Sequence, residues 1–291
     1  MFTHYTGNRQ FDLQLNRSLG PVLDRAGVGR LAARVLPRIR STGQITQFAG
    51  RLAARFESQG DTAAAWRLHS LAAFYLPVDD PRKRRFISAM SAAFDESHRG
   101  LALTRHAVPY GDGELTAMRW EADPADRARF PHAPATLVMM NGFDGYAEEI
   151  MGFAERFPSR PFDIITFDGP GQGHTALAGM PLEPHWELPT NAVLDHFGLT
   201  SAAALGVSFG GYLVMRAAAH GAASLRAGSP SGRGPQPEPM KSLKAWLSGC
   251  RDRLEPRADK DWVASCEEAG ASSDGWLSAG EVDAIGASSH C

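Results

Sequence analysis

The sequence has few cysteines, no long apolar run and almost no net charge, and each shortage argues against a class of protein. Its 291 residues include three cysteines, an odd number without the spacing of metal ligands, so neither a disulfide framework nor a zinc site is predicted. No run approaches the ~18 apolar residues that a membrane span needs. The formal net charge of -2 argues against a nucleic-acid-binding protein. We therefore expect free thiols, no metal, no membrane and no nucleic acid.

Phenylalanine and tyrosine are absent after residue 220, although the chain contains 15 and 5 of them. Among residues 221–291, 8 are Leu, Ile, Val or Phe, against 51 among residues 1–220. The tail thus falls below the ~20% that marks chains too poor in apolar residues to bury a core. We predict an atypical, poorly ordered tail over 221–291. Our hypothesis is that this segment replaces the missing C-terminal part of the fold, as a reading-frame shift or a chimeric gene would produce.

The first hundred residues have a helical pattern. The polar N-terminus lacks the features of a secretory signal, so a cytoplasmic protein is expected. Apolar residues three and four apart predict a module of four or so helices within residues 1–100. Asp61 and Asp80 are the predicted N-caps, with Pro81 in a first turn. The basic cluster at 82–85 is predicted to face solvent.

Residues 101–220 are predicted to form an α/β core. The apolar period changes to two near residue 100, and helices then alternate with short apolar runs. Strands are predicted at 101–108 and 114–121, joined as a hairpin by a turn at 111–113, and, after a Pro- and Arg-bearing linker over 123–134, at 136–140, 162–167 and 202–207. Helices are predicted at 147–157, 191–197 and 209–220. Because strands that alternate with helices pair in parallel, the fold class expected is α/β with a parallel sheet.

The segment Gly206-Val207-Ser208-Phe209-Gly210 matches G-x-S-x-G between a predicted strand and a predicted helix. In this context the pattern predicts a nucleophile elbow, a sharp turn that lifts the serine hydroxyl off the end of the sheet. The backbone N–H of Phe209 would then point at the developing oxyanion. The alternative is a strand-to-helix turn that needs small residues only for close packing.

A second oxyanion donor is expected from the loop after an earlier strand. Asn141-Gly142-Phe143-Asp144-Gly145 follows the strand at 136–140, and Phe143 is the candidate donor. The alternative is a glycine-rich turn without a catalytic role.

A third glycine-rich segment, Phe167 to Gly173, follows the strand at 162–167. Gly171 to Ala176 also fits the dinucleotide fingerprint G-x-G-x-x-G/A. Prolines at 181, 184 and 189 interrupt the helix and strand that a dinucleotide-binding unit would need next. Nucleotide binding is therefore disfavoured, no cofactor is predicted, and His174 is expected to line a loop.

Three motifs together carry a resemblance to a known family. They are NGFDGYAEE at 141–149, FDGPGQG at 167–173 and GVSFGGY at 206–212. Over residues 10–220 the chain resembles the α/β-hydrolases with an N-terminal helical module, the group that includes dihydroxypseudooxynicotine hydrolase and the fungal acyl-shortening hydrolases of pigment biosynthesis. The resemblance implies the fold, a serine nucleophile and hydrolysis of a carbonyl substrate. Asp144 matches an acidic position in that family's oxyanion loop.

The rest of the catalytic triad is not legible in the sequence. Such hydrolases place an acid and then a histidine after later strands, and no strand pattern follows His220. One histidine, His290, lies late in the chain. The segment 286–291 that contains it faintly resembles the Gly-Ala-rich sequence that precedes a His-Cys pair in that family. The acid is unknown, because none of the late aspartates is distinguished; the candidates are Asp259, Asp261, Asp274 and Asp283.

Two functions follow as hypotheses. The first is a serine-dependent hydrolase acting on an ester, a thioester or a C–C bond, with Ser208 as nucleophile, His290 as base, and an activity that the incomplete triad would impair. The second is a non-catalytic remnant or binding module that lacks the triad Asp and His. A small acyl or carbonyl compound is the expected partner, and a homo-oligomer is left open.

Overall fold

Helices form the first part of the protein. A computed structural model describes residues 3–25, 27–220 and 225–227. Five α-helices precede the first strand: α1 (Arg9–Leu19), α2 (Val28–Val35), α3 (Thr42–Ser58), α4 (Thr62–Phe74) and α5 (Pro81–Ser97). Both predicted caps are confirmed, since the Asp61 side chain accepts from the N–H of Ala64 and the Asp80 side chain from that of Arg82. Ser41 and Gln44 form a reciprocal capping box that begins α3.

The basic cluster at 82–85 differs from its prediction at one residue. Lys83 is half-buried, and its Nζ donates to the carbonyl oxygens of Ala73 and Leu76, 3.2 and 3.0 Å away, at the end of α4. Burial lowers the pKa of Lys83, while the negative charges of Asp144 and Glu149 act in the opposite direction. The prediction that all four side chains face solvent is wrong at this position, because α4 ends beside the first turn of α5.

A six-stranded sheet follows the helices. Its strands are β1 (Leu103–Tyr110), β2 (Gly113–Trp120), β3 (Thr136–Met140), β4 (Asp163–Asp168), β5 (Ala202–Gly206) and β6 (Leu225–Ala227). The order across the sheet is β1-β2-β4-β3-β5-β6. The predicted parallel pairing is confirmed among β4, β3 and β5, and β6, which was not predicted, also pairs parallel with β5. The predicted hairpin β1–β2 is also confirmed, and it extends the sheet by pairing antiparallel with β4.

The helices of the second part are α6 (Pro124–Arg129), α7 (Ala147–Ala154), α8 (Gly173–Leu177), α9 (Glu187–His196) and α10 (Phe209–Ala219). Two of them, α6 and α8, were not expected from the sequence. The strand at 136–140 has the predicted bounds, and the other four predicted strands differ by one or two residues at their ends. The prediction that no strand follows His220 is wrong at Leu225–Ala227, because pairing with β5 forms a strand of three residues, too short to show an alternating pattern in the sequence.

Apolar side chains cover both faces of the sheet. On one face the module helices and α7 pack into one continuous core with residues of β2, β3 and β4. The approach of α4 to α7 is close: a Cβ atom at Gly152 would lie 2.4 Å from the ring of Trp66. On the other face α9 and α10 pack against the strands. The predicted domain boundary at residue 100 stays a prediction, because the helical module and the sheet share one core.

None of the described helices has the length and apolar character needed to cross a membrane.

Candidate active site

Ser208 has the backbone conformation that a nucleophile elbow requires. It lies between the end of β5 and the first residue of α10, with φ 56° and ψ -125°. Of the residues that the structure describes, it is the one non-glycine with a positive φ. A side chain held in such a region costs about 1 to 3 kcal/mol and persists only where surrounding contacts impose it. The Ser208 side chain is exposed at this turn.

Two glycines make this turn sterically feasible. A Cβ atom at Gly206 would lie 2.1 Å from the carbonyl oxygen of Gly210, and one at Gly210 would lie 2.2 Å from that of Met140. Real Cβ atoms do not approach backbone oxygens this closely, so both positions need glycine. The turn is also tied to β3, because the N–H of Val207 donates to the Met140 carbonyl oxygen at 3.0 Å. The G-x-S-x-G pattern thus has the steric role expected of an elbow.

The loop after β3 reaches Ser208, because β3 lies between β4 and β5 and the carboxyl ends of these parallel strands meet at one edge. A Cβ atom at Gly142 would lie 3.4 Å from Ser208 Cβ and 3.9 Å from Ser208 Oγ. The rings of Phe143 and Phe209 meet edge to face, with centroids 5.6 Å apart. The structure therefore brings together Ser208 and both residues predicted to donate to an oxyanion.

Asn141 holds this loop from the inside. It is 2% exposed, its Nδ2 donates to the Tyr146 carbonyl oxygen at 2.7 Å, and its Oδ1 accepts the N–H of Gly142 at 2.8 Å. The N–H of Gly142 is therefore engaged. Within the described part of the chain, the N–H groups of Phe143 and Phe209 form no hydrogen bond.

The residues predicted as the base and the acid of the triad lie in a part of the chain that the structure does not describe. His290 and the candidate acids Asp259, Asp261, Asp274 and Asp283 fall outside the described residues. No histidine among residues 3–25 and 27–220 forms a hydrogen bond with Ser208.

A buried charged cluster beside α7 was not expected from the sequence. Glu148 is fully buried, and its Oε1 lies 2.9 Å from His174 Nε2, 2.9 Å from Arg105 and 2.7 Å from the hydroxyl of Ser91. Burial alone would raise the pKa of Glu148. The hydrogen bond from His174 and the charges of His174 and Arg105 outweigh burial, and they lower that pKa to about 2. His174, expected to line a loop, instead lies in the first turn of α8 as a partner of a buried carboxylate.

Asp168, at the end of β4, belongs to the same cluster. It is fully buried, and its Oδ2 accepts the N–H of His174 at 2.9 Å. Burial and the nearby charge of Glu148 raise its pKa to about 7, although the charge of His174 acts in the opposite direction. The pKa of His174 is itself raised: burial lowers it, and its bond to Glu148 more than compensates.

This cluster also bears on the dinucleotide alternative. A Cβ atom at Gly173 would lie 2.1 Å from Asp168 Oδ2, so the start of α8 faces a carboxylate of the protein. The helix that follows has five residues, Gly173–Leu177. A dinucleotide fingerprint needs a helix start that is free to receive a pyrophosphate. The segment therefore does not have the geometry of that fingerprint.

A cleft of about 440 Å³ lies next to the charged cluster, between α5 and α8. Ser91 and His174 line it, together with Arg84 and Ser88. Neither Ser208 nor the loop at 141–145 takes part in its walls, so this cleft is separate from the elbow. Within the described ranges, no group of three or more His, Cys, Asp or Glu side chains could hold a metal ion.

Comparison with curated proteins gives hydrolases. No protein-family model matches the chain. The chain is 31% identical over 193 residues to hydrolase acrC of Aspergillus aculeatus, an alignment that covers 55% of this chain and 45% of that protein. It is 32% identical over 168 residues to 20-hydroxy-prefusarin hydrolase FUS2 of Gibberella moniliformis, covering 53% of this chain and 39% of the other. The chain thus spans less than half the length of these relatives.

Comparison with solved structures concerns the fold. The structure titled AbyA5 wildtype has a TM-score of 0.52 and 22% identity, covering 73% of this chain and 60% of that one. The 2,6-dihydroxy-pseudo-oxynicotine hydrolase has a TM-score of 0.48 and 18% identity, covering 72% and 61%. The resemblance stated from the three motifs is confirmed: the chain has an α/β-hydrolase fold and is similar in sequence to proteins named hydrolases.

Proposed function

We propose that this protein is a serine hydrolase that acts on a carbonyl substrate through Ser208. The observation that carries the proposal is the strained backbone of Ser208, with φ 56°, held against Gly142 of the loop after β3. Strain of this kind at a non-glycine residue is concentrated at functional sites, because a turn without a role would relax it. Similarity to proteins named hydrolases supports the same conclusion.

In the proposed reaction, Ser208 Oγ attacks the carbonyl carbon while its proton passes to a base, for which His290 is our candidate. The carbonyl oxygen becomes an oxyanion that accepts from the N–H groups of Phe143 and Phe209. Collapse of this intermediate breaks the bond to the leaving group, which takes the proton from the base. Water then hydrolyses the acyl-enzyme by the same steps and restores the Ser208 hydroxyl. An ester, a thioester or an activated C–C bond would fit this sequence.

The second candidate is a scaffold that binds a carbonyl compound without hydrolysing it. It is favoured by the finding that, among the described residues, no histidine forms a hydrogen bond with Ser208. Without a base the serine hydroxyl stays protonated and loses most of its reactivity.

Labelling with a fluorophosphonate probe separates the two candidates, since the probe reports an activated serine without a known substrate. The full chain would be treated with the probe, digested and mapped by mass spectrometry. The control pair is Ser208→Ala and Ser201→Ala, because Ser201 is exposed and immediately precedes the same strand, β5. We expect labelling that Ser208→Ala abolishes and Ser201→Ala retains. A folded chain that takes up no label would support the binding scaffold instead.

A further inference from the structure

Gln172 is a buried polar residue of the FDGPGQG segment that the proposed mechanism does not yet use. It lies between β4 and α8 and is 1% exposed. Its Nε2 donates to two carbonyl oxygens of the loop after β3, that of Asn141 at 3.3 Å and that of Gly142 at 3.1 Å. Both partners can only accept, so the amide nitrogen and not Oε1 must face them. Gln172 Oε1 has no hydrogen-bond partner among the described residues, so donation is the bonding that this side chain provides.

The bond to Gly142 fixes the direction of the next N–H group. The described chain contains no cis peptide bond, and in a trans peptide the C=O and N–H point to opposite sides. With the Gly142 oxygen turned inward to Gln172, the N–H of Phe143 points away from the buried side. The Gly142 oxygen also accepts the N–H of Gly145 at 3.3 Å, which holds the same orientation.

The loop offers Phe143 as its donor because its neighbour is already engaged. The N–H of Gly142 is bound to Asn141 Oδ1, whereas that of Phe143 forms no bond within the described part. Gly142 itself packs against Ser208, because a Cβ atom placed on Gly142 would lie 3.4 Å from Ser208 Cβ. The peptide that Gln172 orients is thus the one beside the nucleophile.

We propose that Gln172 is a positioning residue that presents the Phe143 N–H to the oxyanion formed at Ser208. This inference rests on the proposed serine hydrolase function and deepens it. Gln172 touches neither substrate nor serine; it acts through the Gly142–Phe143 peptide. The preorganised direction of a donor is what gives an oxyanion hole its effect, because no reorientation is then needed in the transition state.

The test compares an ester with the thionoester of the same acyl group and leaving group, p-nitrophenyl acetate and its C=S analogue. Sulfur accepts hydrogen bonds weakly, so the ratio of the two acylation rates at Ser208 reports the oxyanion donors. Gln172→Met keeps the size of the side chain and removes its donor. We expect the oxygen-to-sulfur rate ratio to fall by about 10 to 100-fold, somewhat less than the about 10²–10³ lost when a donor is removed altogether.

The matched control is Thr190→Val. Thr190 is also fully buried, and its hydroxyl also donates to a backbone carbonyl, that of Trp186 at 2.7 Å, but at the start of α9. This variant loses one buried hydrogen bond from a side chain to a backbone carbonyl, and it should leave the oxygen-to-sulfur rate ratio unchanged. If Gln172→Met slows both substrates by the same factor, or slows neither, the positioning role is wrong.

Gln172→Glu gives a second variant of nearly the same shape. Its ionised carboxylate repels the two carbonyl oxygens, whereas its protonated form regains one O–H donor. The rate ratio of this variant should rise towards the wild-type value as the pH falls, while that of Gln172→Met stays constant. A ratio independent of pH in both variants would contradict the proposal.

Failure of the proposed function has a different signature. If the wild-type protein is not acylated at Ser208, the hydrolase proposal fails, and Gln172 is then tested by crystal structures of the wild type and Gln172→Met. We expect the Gly142–Phe143 peptide to rotate, or the loop to move, when the donor is lost. A peptide that keeps its orientation without Gln172 would overturn the inference whatever the activity of the protein.

Discussion

The hydroxyl of Ser91 on α5 donates to the fully buried Oε1 of Glu148 on α7, at 2.7 Å. The two residues belong to different parts of the fold, the helical module and the sheet with its helices. Two further glutamates of the α7 region repeat this arrangement. Glu149 accepts from Ser70 at 2.7 Å, and Glu155 binds Arg67 at 2.6 Å and His98 at 2.8 Å. Three carboxylates therefore attach the module to one helix of the α/β core.

Replacing Glu148 by Gln should destabilise the protein by about 1.5 to 3 kcal/mol, because His174 and Arg105 lose the charged carboxylate that they share, while Arg105 keeps Asp95 as a counter-charge. The measurement is the free energy of unfolding in urea at pH 7. Ser91→Ala is the matched control: it removes one bond to the same oxygen and keeps the charge, so it should cost about 1 kcal/mol. Equal losses in the two variants would show that the ion pair is not the principal contribution.

Glu148 also makes stability depend on pH at the acidic end. Its folded pKa, about 2, is below the ordinary value of 4.5, so its contribution is present above pH 4.5 and is lost as the pH falls towards 2. By linkage the difference corresponds to about 3 kcal/mol. The unfolding free energy of Glu148→Gln should therefore fall less steeply than that of the wild type between pH 4.5 and 2.

Asp168 should act in the opposite direction over a higher range of pH. Its folded pKa, about 7, is above the ordinary value of 3.8, so the folded state holds this proton more tightly than the unfolded state. Its favourable contribution is complete below pH 3.8 and is lost as the pH rises to 7, by about 4 kcal/mol. Asp168→Asn keeps an acceptor for the His174 N–H and cannot ionise. Between pH 4 and 7 the wild type should lose stability relative to this variant; parallel curves would contradict the raised pKa.

Gly210→Ala should prevent the elbow from forming, because the added methyl group would lie 2.2 Å from the Met140 carbonyl oxygen. We expect a loss of more than about 3 kcal/mol in unfolding free energy, or an insoluble protein, together with loss of labelling at Ser208. Gly43→Ala is the control, since nothing lies within 4 Å of its Cβ position in α3. That variant should be neutral or stabilised by up to about 1 kcal/mol. A stable and labelled Gly210→Ala protein would show that the elbow can relax.

The features that were predicted best from the sequence are those that depend on residues close together along the chain. The strand Thr136–Met140 and the caps at Asp61 and Asp80 are found where short-range patterns predicted them. Helix α6 was missed although Asp123 and Pro124 give the same start signal as Asp80 and Pro81. The segment was predicted as a linker because it contains proline and arginines, and its helix is only six residues long.

The charged cluster could not be predicted, because its members come from four distant elements. They are Arg105 on β1, Glu148 on α7, Asp168 at the end of β4 and His174 in the first turn of α8. Only the order of the strands brings them together, and no spacing along the chain encodes that order. Gln172 was missed for a related reason: the sequence motif identified its segment, but its hydrogen bonds depend on β3 lying next to β4.

The contacts that impose the Ser208 conformation are made by β3, β5 and α10, all within residues 136–219. Among the described residues, the strained turn is thus held by one continuous stretch of the chain, whereas the proposed base, His290, belongs to another stretch. In evolutionary terms, the proposed nucleophile and its proposed proton relay would then be separable parts. If the proposed function is correct, an imidazole that reaches this turn from another stretch of polypeptide would meet a serine whose backbone already has the elbow conformation.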